Sequence, residues 1–191
     1  MADYFDIDHI LMEEEVVSIV FRVGANGVGL LDPGSENNNV EAGAKVELPF
    51  WLAQDLCLRR AVAINIPTFF NQRIKKEIKA DPGCVNLRSR CPYFYELGCK
   101  IAPLVSDKSV GPFLLDTFRG RYQDILCKAH REAFSLTSKS QKLLTREESQ
   151  LFEAARDSMK AFKKWRLQGP RLEKASVLGR KRKQNDSLHA T

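Results

Sequence analysis

Few strings in this chain could do chemistry, and each has a plainer use. Gly24-Ala25-Asn26-Gly27-Val28-Gly29 is the one that could cradle a phosphate. It reads G-x-x-G-x-G, where the dinucleotide order is G-x-G-x-x-G. No helix is expected after it to aim an N-terminus at an anion, and no Gly-Lys-Ser/Thr follows. Asn26-Gly27 is the dipeptide that tolerates the positive φ of a tight hairpin turn, and that reading is preferred. No Gly-x-Ser-x-Gly elbow is present for acyl transfer. His130 falls inside an expected helix, beside Arg131 and four residues after Leu126, so it reads as a flank of packing rather than a general base. His9 lies in an acidic segment and reads as a surface side chain. Glu13-Glu14-Glu15 are adjacent, so in helix or strand they do not converge on one point and read as a solvated acidic edge.

Metal and redox chemistry find little footing. Cys57, Cys84, Cys91, Cys99 and Cys127 never form Cys-x-x-Cys, and His9, His130 and His189 lie far from them in sequence. Structural zinc usually takes ligands in close pairs. The expectation is five free thiols packed as small hydrophobes, with no metal and no cofactor.

Two groups could meet nucleic acid. Tyr93-Phe94-Tyr95 follows Arg88 and Arg90, a pattern in which rings stack on bases while arginine neutralises phosphate. Phe94 also heads an apolar stripe, so core packing or a protein interface is the competing reading. Lys160, Lys163, Lys164 and Arg166 decorate the last expected helix. The net charge is +6, but residues 1–15 hold six acidic groups and no Lys or Arg, while residues 168–191 hold six basic groups and two acidic ones. That distribution permits an anionic partner without demanding one. Arg180, Lys181, Arg182 and Lys183 form a run that a nuclear import receptor could read. No apolar run is long enough to span a membrane, and the acidic start does not read as a secretory signal.

The elements that must position these residues fall into two sets. Hydrophobic residues make up 43% of the chain, enough to build a core. In the first sixty-odd residues, Val16 to Val23 reads as a strand, Asn26-Gly27 as its hairpin turn, and Val28 to Leu31 as the return strand closed by Asp32-Pro33-Gly34. Ser35 to Asn39 reads as a loop, and Lys45 to Leu48 as a short strand. Pro49 opens a helix to Leu58, and Val62, Ile64 and Ile66 alternate as another strand. Beyond Pro67 the period turns helical. Thr68 is expected to cap a helix ending near Ala80, with Phe70, Ile74 and Ile78 inward. A second helix opens near Pro92 with Phe94, Leu97 and Ile101 in register. The third follows Ser109, with a stripe of Leu114, Leu115, Phe118, Tyr122, Ile125, Leu126, Ala129 and Ala133. Thr137 to Ser140 breaks it. The fourth begins at the capping box Thr145-Arg146-Glu147-Glu148, carries Leu151, Phe152, Ala155, Met159 and Phe162, and stops at Gly169-Pro170. The fold class is α+β, mainly α. Residues 1–66 form a β-rich module with one short helix, 67–168 a helical module, and 169–191 a basic tail expected to be disordered.

Four strings carry a resemblance. Tyr4-Phe5-Asp6-Ile7-Asp8-His9-Ile10-Leu11, Leu48-Pro49-Phe50-Trp51-Leu52-Ala53, Ala80-Asp81-Pro82 leading through Leu87 to Pro92-Tyr93-Phe94-Tyr95-Glu96-Leu97-Gly98, and Thr117-Phe118-Arg119-Gly120-Arg121 stand in the order found in the third Psf subunits of the eukaryotic GINS complex. The chain resembles that family over roughly residues 4–136. His9 stands where the family more often has an acid. The resemblance implies a non-catalytic subunit of a nuclear heterotetramer, with a small B domain preceding a helical A domain. Its partners would be the three other GINS subunits and, through the complex, the MCM ring and the CDC-type cofactor of the CMG helicase. Any DNA contact would be weak. Phe50, Trp51, Leu52, Phe94, Leu115, Phe118, Tyr122, Leu126, Phe152 and Phe162 are the expected interface residues. A nucleic-acid-binding helical module is the alternative.

Overall fold

The computed structural model describes residues 5–31, 39–134 and 143–168. The Arg180–Lys183 run, the tail, and the turns expected at Asp32-Pro33-Gly34 and Thr137–Ser140 lie outside them. The protein is mainly helical, with a small N-terminal sheet followed by a bundle.

An unexpected helix comes first. α1 (Ile7–Glu13) starts at Asp6, whose carboxylate accepts the Asp8 N–H at 3.1 Å, a side-chain N-cap. The acidic composition of this stretch hid it. Only Met12 faces the core. Polar contacts supply the rest of its attachment. Asp8 pairs with Arg146 at 2.9 Å, and Lys100 reaches Glu13 at 3.2 Å and the His9 ring at 2.8 Å. His9 is therefore a half-buried contact residue, and Glu13 an ion-pair partner rather than part of a solvated edge.

The sheet is built around β1 (Val16–Phe21), whose Val17, Ile19 and Phe21 alternate into the core. β2 is Ala25–Asn26, β3 is Asn39–Val40, β4 is Lys45–Pro49 and β5 is Val62–Ile64. The main sheet has the order β4-β1-β5 and is antiparallel throughout, with Ile19 facing Val46 on one side and Ile64 on the other. The expected hairpin does not form. Gly27 does adopt φ 80°, but the turn leads into a short 3-10 segment, Gly29–Leu31, and β2 pairs with β3. The true partners of β1 are more distant strands with the stronger alternating apolar pattern.

α2 (Phe50–Leu58) follows directly from Pro49. After β5, a 3-10 turn at Thr68–Phe70 precedes α3 (Gln72–Ala80). Thr68 does not cap α3. Asn71 holds the N-cap position, and it makes no side-chain cap bond. Phe70, Ile74 and Ile78 are buried as expected. α4 (Phe94–Ile101), α5 (Val110–Glu132) and α6 (Arg146–Gln168) complete the bundle.

One apolar cluster runs without a break from Met12 and the β1 side chains through Phe70 and Phe94 to Leu114. A second, smaller one joins Ile125 and Ala129 of α5 to Leu144 and Phe152. α5 and α6 run parallel. Arg121 meets Glu148, and thirteen residues on, just past the end of α5, the Phe134 ring meets Lys163. Both indices rise together, so the two axes point the same way.

Candidate interaction site

The α5 surface divides into two faces. The inner one carries Val110, Phe113, Leu114, Thr117, Arg121, Ile125 and Ala129, all buried. Arg121 is the unexpected member. Its side chain is 3% exposed and that of Glu148 is 0% exposed, and the two are joined at 2.5 and 2.8 Å. Buried charges must be paired and fully hydrogen-bonded to survive desolvation, and these are. The guanidinium also donates to the carbonyls of Pro82 and Val85. A Cβ at Gly120 would come within 3.0 Å of the Pro82 ring, so glycine lets that loop approach. Glu148 accepts the Thr145 N–H at 3.2 Å, while Thr145 Oγ1 accepts the Glu148 N–H at 3.3 Å. This is the capping box read from sequence, and its glutamate serves a second purpose as the counter-ion of Arg121. Tyr95 donates its hydroxyl to Glu148 at 2.8 Å. Burial first, then the Glu148 charge, pushes the Tyr95 phenol well above its ordinary range, so it remains a donor. Burial opposes the Arg121 charge, but Glu148 outweighs it and holds the guanidinium pKa above its usual value. Glu147 completes the junction by accepting the N–H groups of Tyr95 and Glu96 at 3.1 and 3.0 Å. It caps α4 from another helix. The node therefore locks α4, α5 and α6 together.

The outer face of α5 is apolar and open. Leu115, Phe118 and Tyr122 are 50%, 37% and 41% exposed. Their spacing of three and then four residues aligns them on one helical stripe, and half-buried Leu126 extends it. Phe118 leans edge-on against Tyr95 and lies 5.6 Å from the Tyr122 ring. The sequence-based stripe merged these two faces.

The remaining expected interface residues separate by position. Phe50, Phe94 and Phe152 have no exposed surface. They fill this chain's own core and have none to offer a partner. Trp51 is half exposed on α2, Leu52 half-buried, and Phe162 open near the end of α6. The ring cluster considered for base stacking also points inward. Tyr93 and Phe94 are buried, Tyr95 holds Glu148, and nearby Arg90 pairs with Glu77 at 2.7 Å. His130 is half-buried near the end of α5. The cysteines are free, but only Cys91 is buried, its thiol pushed up to about 12 by desolvation. Cys84 sits in an exposed loop, and Cys99 and Cys127 lie on outward helix faces, which corrects the expectation of a buried set.

Comparison with known proteins agrees with this arrangement. The model for the GINS complex protein helical bundle domain matches residues 69–167, and that for the PSF3 N-terminal domain matches residues 5–58. The chain is similar to the DNA replication complex GINS protein PSF3 of Phaeosphaeria nodorum, at 35% identity over 86% of this chain and 96% of that protein. Its namesakes in Aspergillus fumigatus (31% identity, 85% of this chain and 95% of that protein) and Schizosaccharomyces pombe (37%, with 62% and 69% covered) are similar too. The bundle that Arg121 and Glu148 lock together is thus of the GINS type. The chain belongs to the PSF3 family of GINS complex proteins.

Proposed function

We propose that this chain is a non-catalytic subunit of a nuclear GINS heterotetramer that scaffolds the CMG replicative helicase. Residues 1–66 act as its B domain and 67–168 as its A domain. The outer face of α5 carries this reading. Leu115, Phe118 and Tyr122 stand in line and half exposed on a helix whose opposite face is already packed. A fully buried Leu or Phe side chain stabilises by about 1.5–3 kcal/mol, and roughly half of that remains unrealised at each of these positions. A neighbouring subunit's helix laid along the stripe would realise it. Half-exposed Trp51 on α2 is a second apolar residue open to a partner. The relatives support the replication role by their names, DNA replication complex GINS protein PSF3.

The mechanism is linkage. The Arg121–Glu148 node fixes the angle between α5 and α6, and partner binding to the outer face stabilises the fold that presents it. The assembled tetramer then offers composite surfaces to the MCM ring and the CDC-type cofactor, and ATP hydrolysis resides in the ring. Co-expression with the three other GINS subunits, followed by size-exclusion chromatography at low and high salt, tests this. One copy of each subunit should co-elute at both salts, because apolar burial is not screened as surface charge is. A monodisperse monomer that ignores the other subunits would overturn it.

A further inference from the structure

The last turns of α6 are unlike the rest of that helix. Its first half packs against α5 through Glu148 and Phe152. Because the two helices run parallel and Lys163 is already level with Phe134, the residues after Lys163 continue past the end of α5. Phe162 and Trp165 lie there 51% and 68% exposed, their ring centroids 5.7 Å apart and their planes 34° from parallel. Around them stand Lys160, Lys163, Lys164 and Arg166, with no acidic residue from Ser158 to Gln168. Lys160 is 3.7 Å from Asp157. Lys163 lies over the Phe134 ring at 5.0 Å, a contact that orients the ammonium without neutralising it. Lys164 and Arg166 make no ion pair among the described residues.

We propose that this overhang is a contact site for single-stranded nucleic acid without sequence preference. The four cations would meet phosphates, and bases would stack on Trp165 and Phe162. Two neighbouring exposed rings among Lys163, Lys164 and Arg166, with Asp157 the acid near Lys160, offer both the stacking surfaces and the cations that a single strand uses. The sequence beyond continues the charge, with Arg171, Lys174, Arg180, Lys181, Arg182 and Lys183 against Glu173 and Asp186.

The test uses the full chain in the assembly in which it is recovered, with a fluorescent oligothymidylate of about 30 nucleotides, titrated between about 50 and 200 mM salt. Trp165→Leu should weaken binding about tenfold with little change in salt slope. Lys164→Gln with Arg166→Gln should weaken it and reduce the slope by about 1 to 1.5. Both effects should persist when Arg180, Lys181, Arg182 and Lys183 are all changed to Gln. Folding of each variant is checked by circular dichroism, and Lys164→Arg should bind like the parent. Three results would each overturn the proposal: no binding at the lower salt, an unchanged affinity in Trp165→Leu, or a phenylalanine-containing polyglutamate peptide binding more tightly than the oligonucleotide.

Discussion

The two faces of α5 are made of similar side chains and come to opposite ends. On one, Phe113, Leu114 and Ile125 are buried beside a buried arginine; on the other, Leu115, Phe118 and Tyr122 remain open. Leu114 and Leu115 are neighbours, as are Ile125 and Leu126, so one residue of helical rotation separates core from surface. Hydrophobicity cannot separate the faces, because both have it. The buried ion pair can. Arg121 needs Glu148, which Tyr95 holds in turn, and two loop carbonyls, and only one rotation of α5 supplies them all. A buried pair adds little net stability over an apolar substitute. Its use here is to fix which apolar face turns inward and which is left for a partner.

The sharpest way to break this comparison is to remove one half of the pair. Arg121→Ala leaves the Glu148 carboxylate buried and unpaired, and should cost about 3–5 kcal/mol in urea unfolding. Arg121→Met with Glu148→Gln, which keeps an amide oxygen for the Thr145 N–H or the Tyr95 hydroxyl, should recover part of that loss, and a double variant as unstable as the single one would show that charge pairing is not what matters. Ile125→Ala comes next, at about 2–5 kcal/mol from a cavity at a fully packed site. The adjacent Leu126→Ala should cost clearly less, and equal losses would mean the faces are misassigned.

Gly98→Ala probes the inner face from α4. Its Cβ would stand 2.8 Å from the Phe70 ring and 2.9 Å from the Leu114 methyl groups. Overpacking should cost about 1–3 kcal/mol, against a helix-propensity gain of up to about 1 kcal/mol. The net effect on thermal unfolding should be a loss.

Acid should produce the smallest effect. The backbone N–H and then the hydroxyl of Ser109, at the entrance to α5, hold the Asp107 carboxyl below the usual Asp range. A hydrogen bond from Cys84 and another from the Gly83 N–H do the same for Asp81. Folded pKa values below the unfolded ones give stability that is present above the ordinary Asp value of about 3.9 and is lost as pH falls through the folded value. Asp107→Asn should therefore flatten the acid limb of a melting-temperature profile between about pH 5 and 2, and an unaltered limb would remove Asp107 from the account.

What the sequence disclosed follows from the range of each signal. The Thr145–Glu148 box, the start of α2 after Pro49, and the Phe94-Leu97-Ile101 stripe are local, and all three hold. The Asn26-Gly27 hairpin is local as well, but it lost to β4 and β5, whose alternation matches β1 better over longer separations. α1 went unread because acids dominated its composition, although Asp6 ahead of Ile7, Ile10 and Leu11 is a cap followed by helical spacing. Arg121 went unread because a charged residue is the last expected inside a core. Its signal lay in Gly120, a helix-interior glycine that only the close approach of Pro82 explains. The sequence marks Leu115, Phe118, Tyr122 and Leu126 as interface residues but runs them into one stripe with the buried Leu114, Ile125 and Ala129, because both faces of α5 carry large apolar side chains.

The measurement closest to the central claim is the subunit composition recovered when Leu115→Gln with Tyr122→Gln is co-expressed with the three other GINS subunits. Both positions are about half exposed, so unfolding stability should fall by only about 1 kcal/mol each, which leaves the chain folded. The account predicts a folded variant that falls out of the complex, eluting without its partners while the parent co-elutes with all three. A variant that assembles as fully as the parent would contradict it, because the outer face of α5 would then not be where this protein is held.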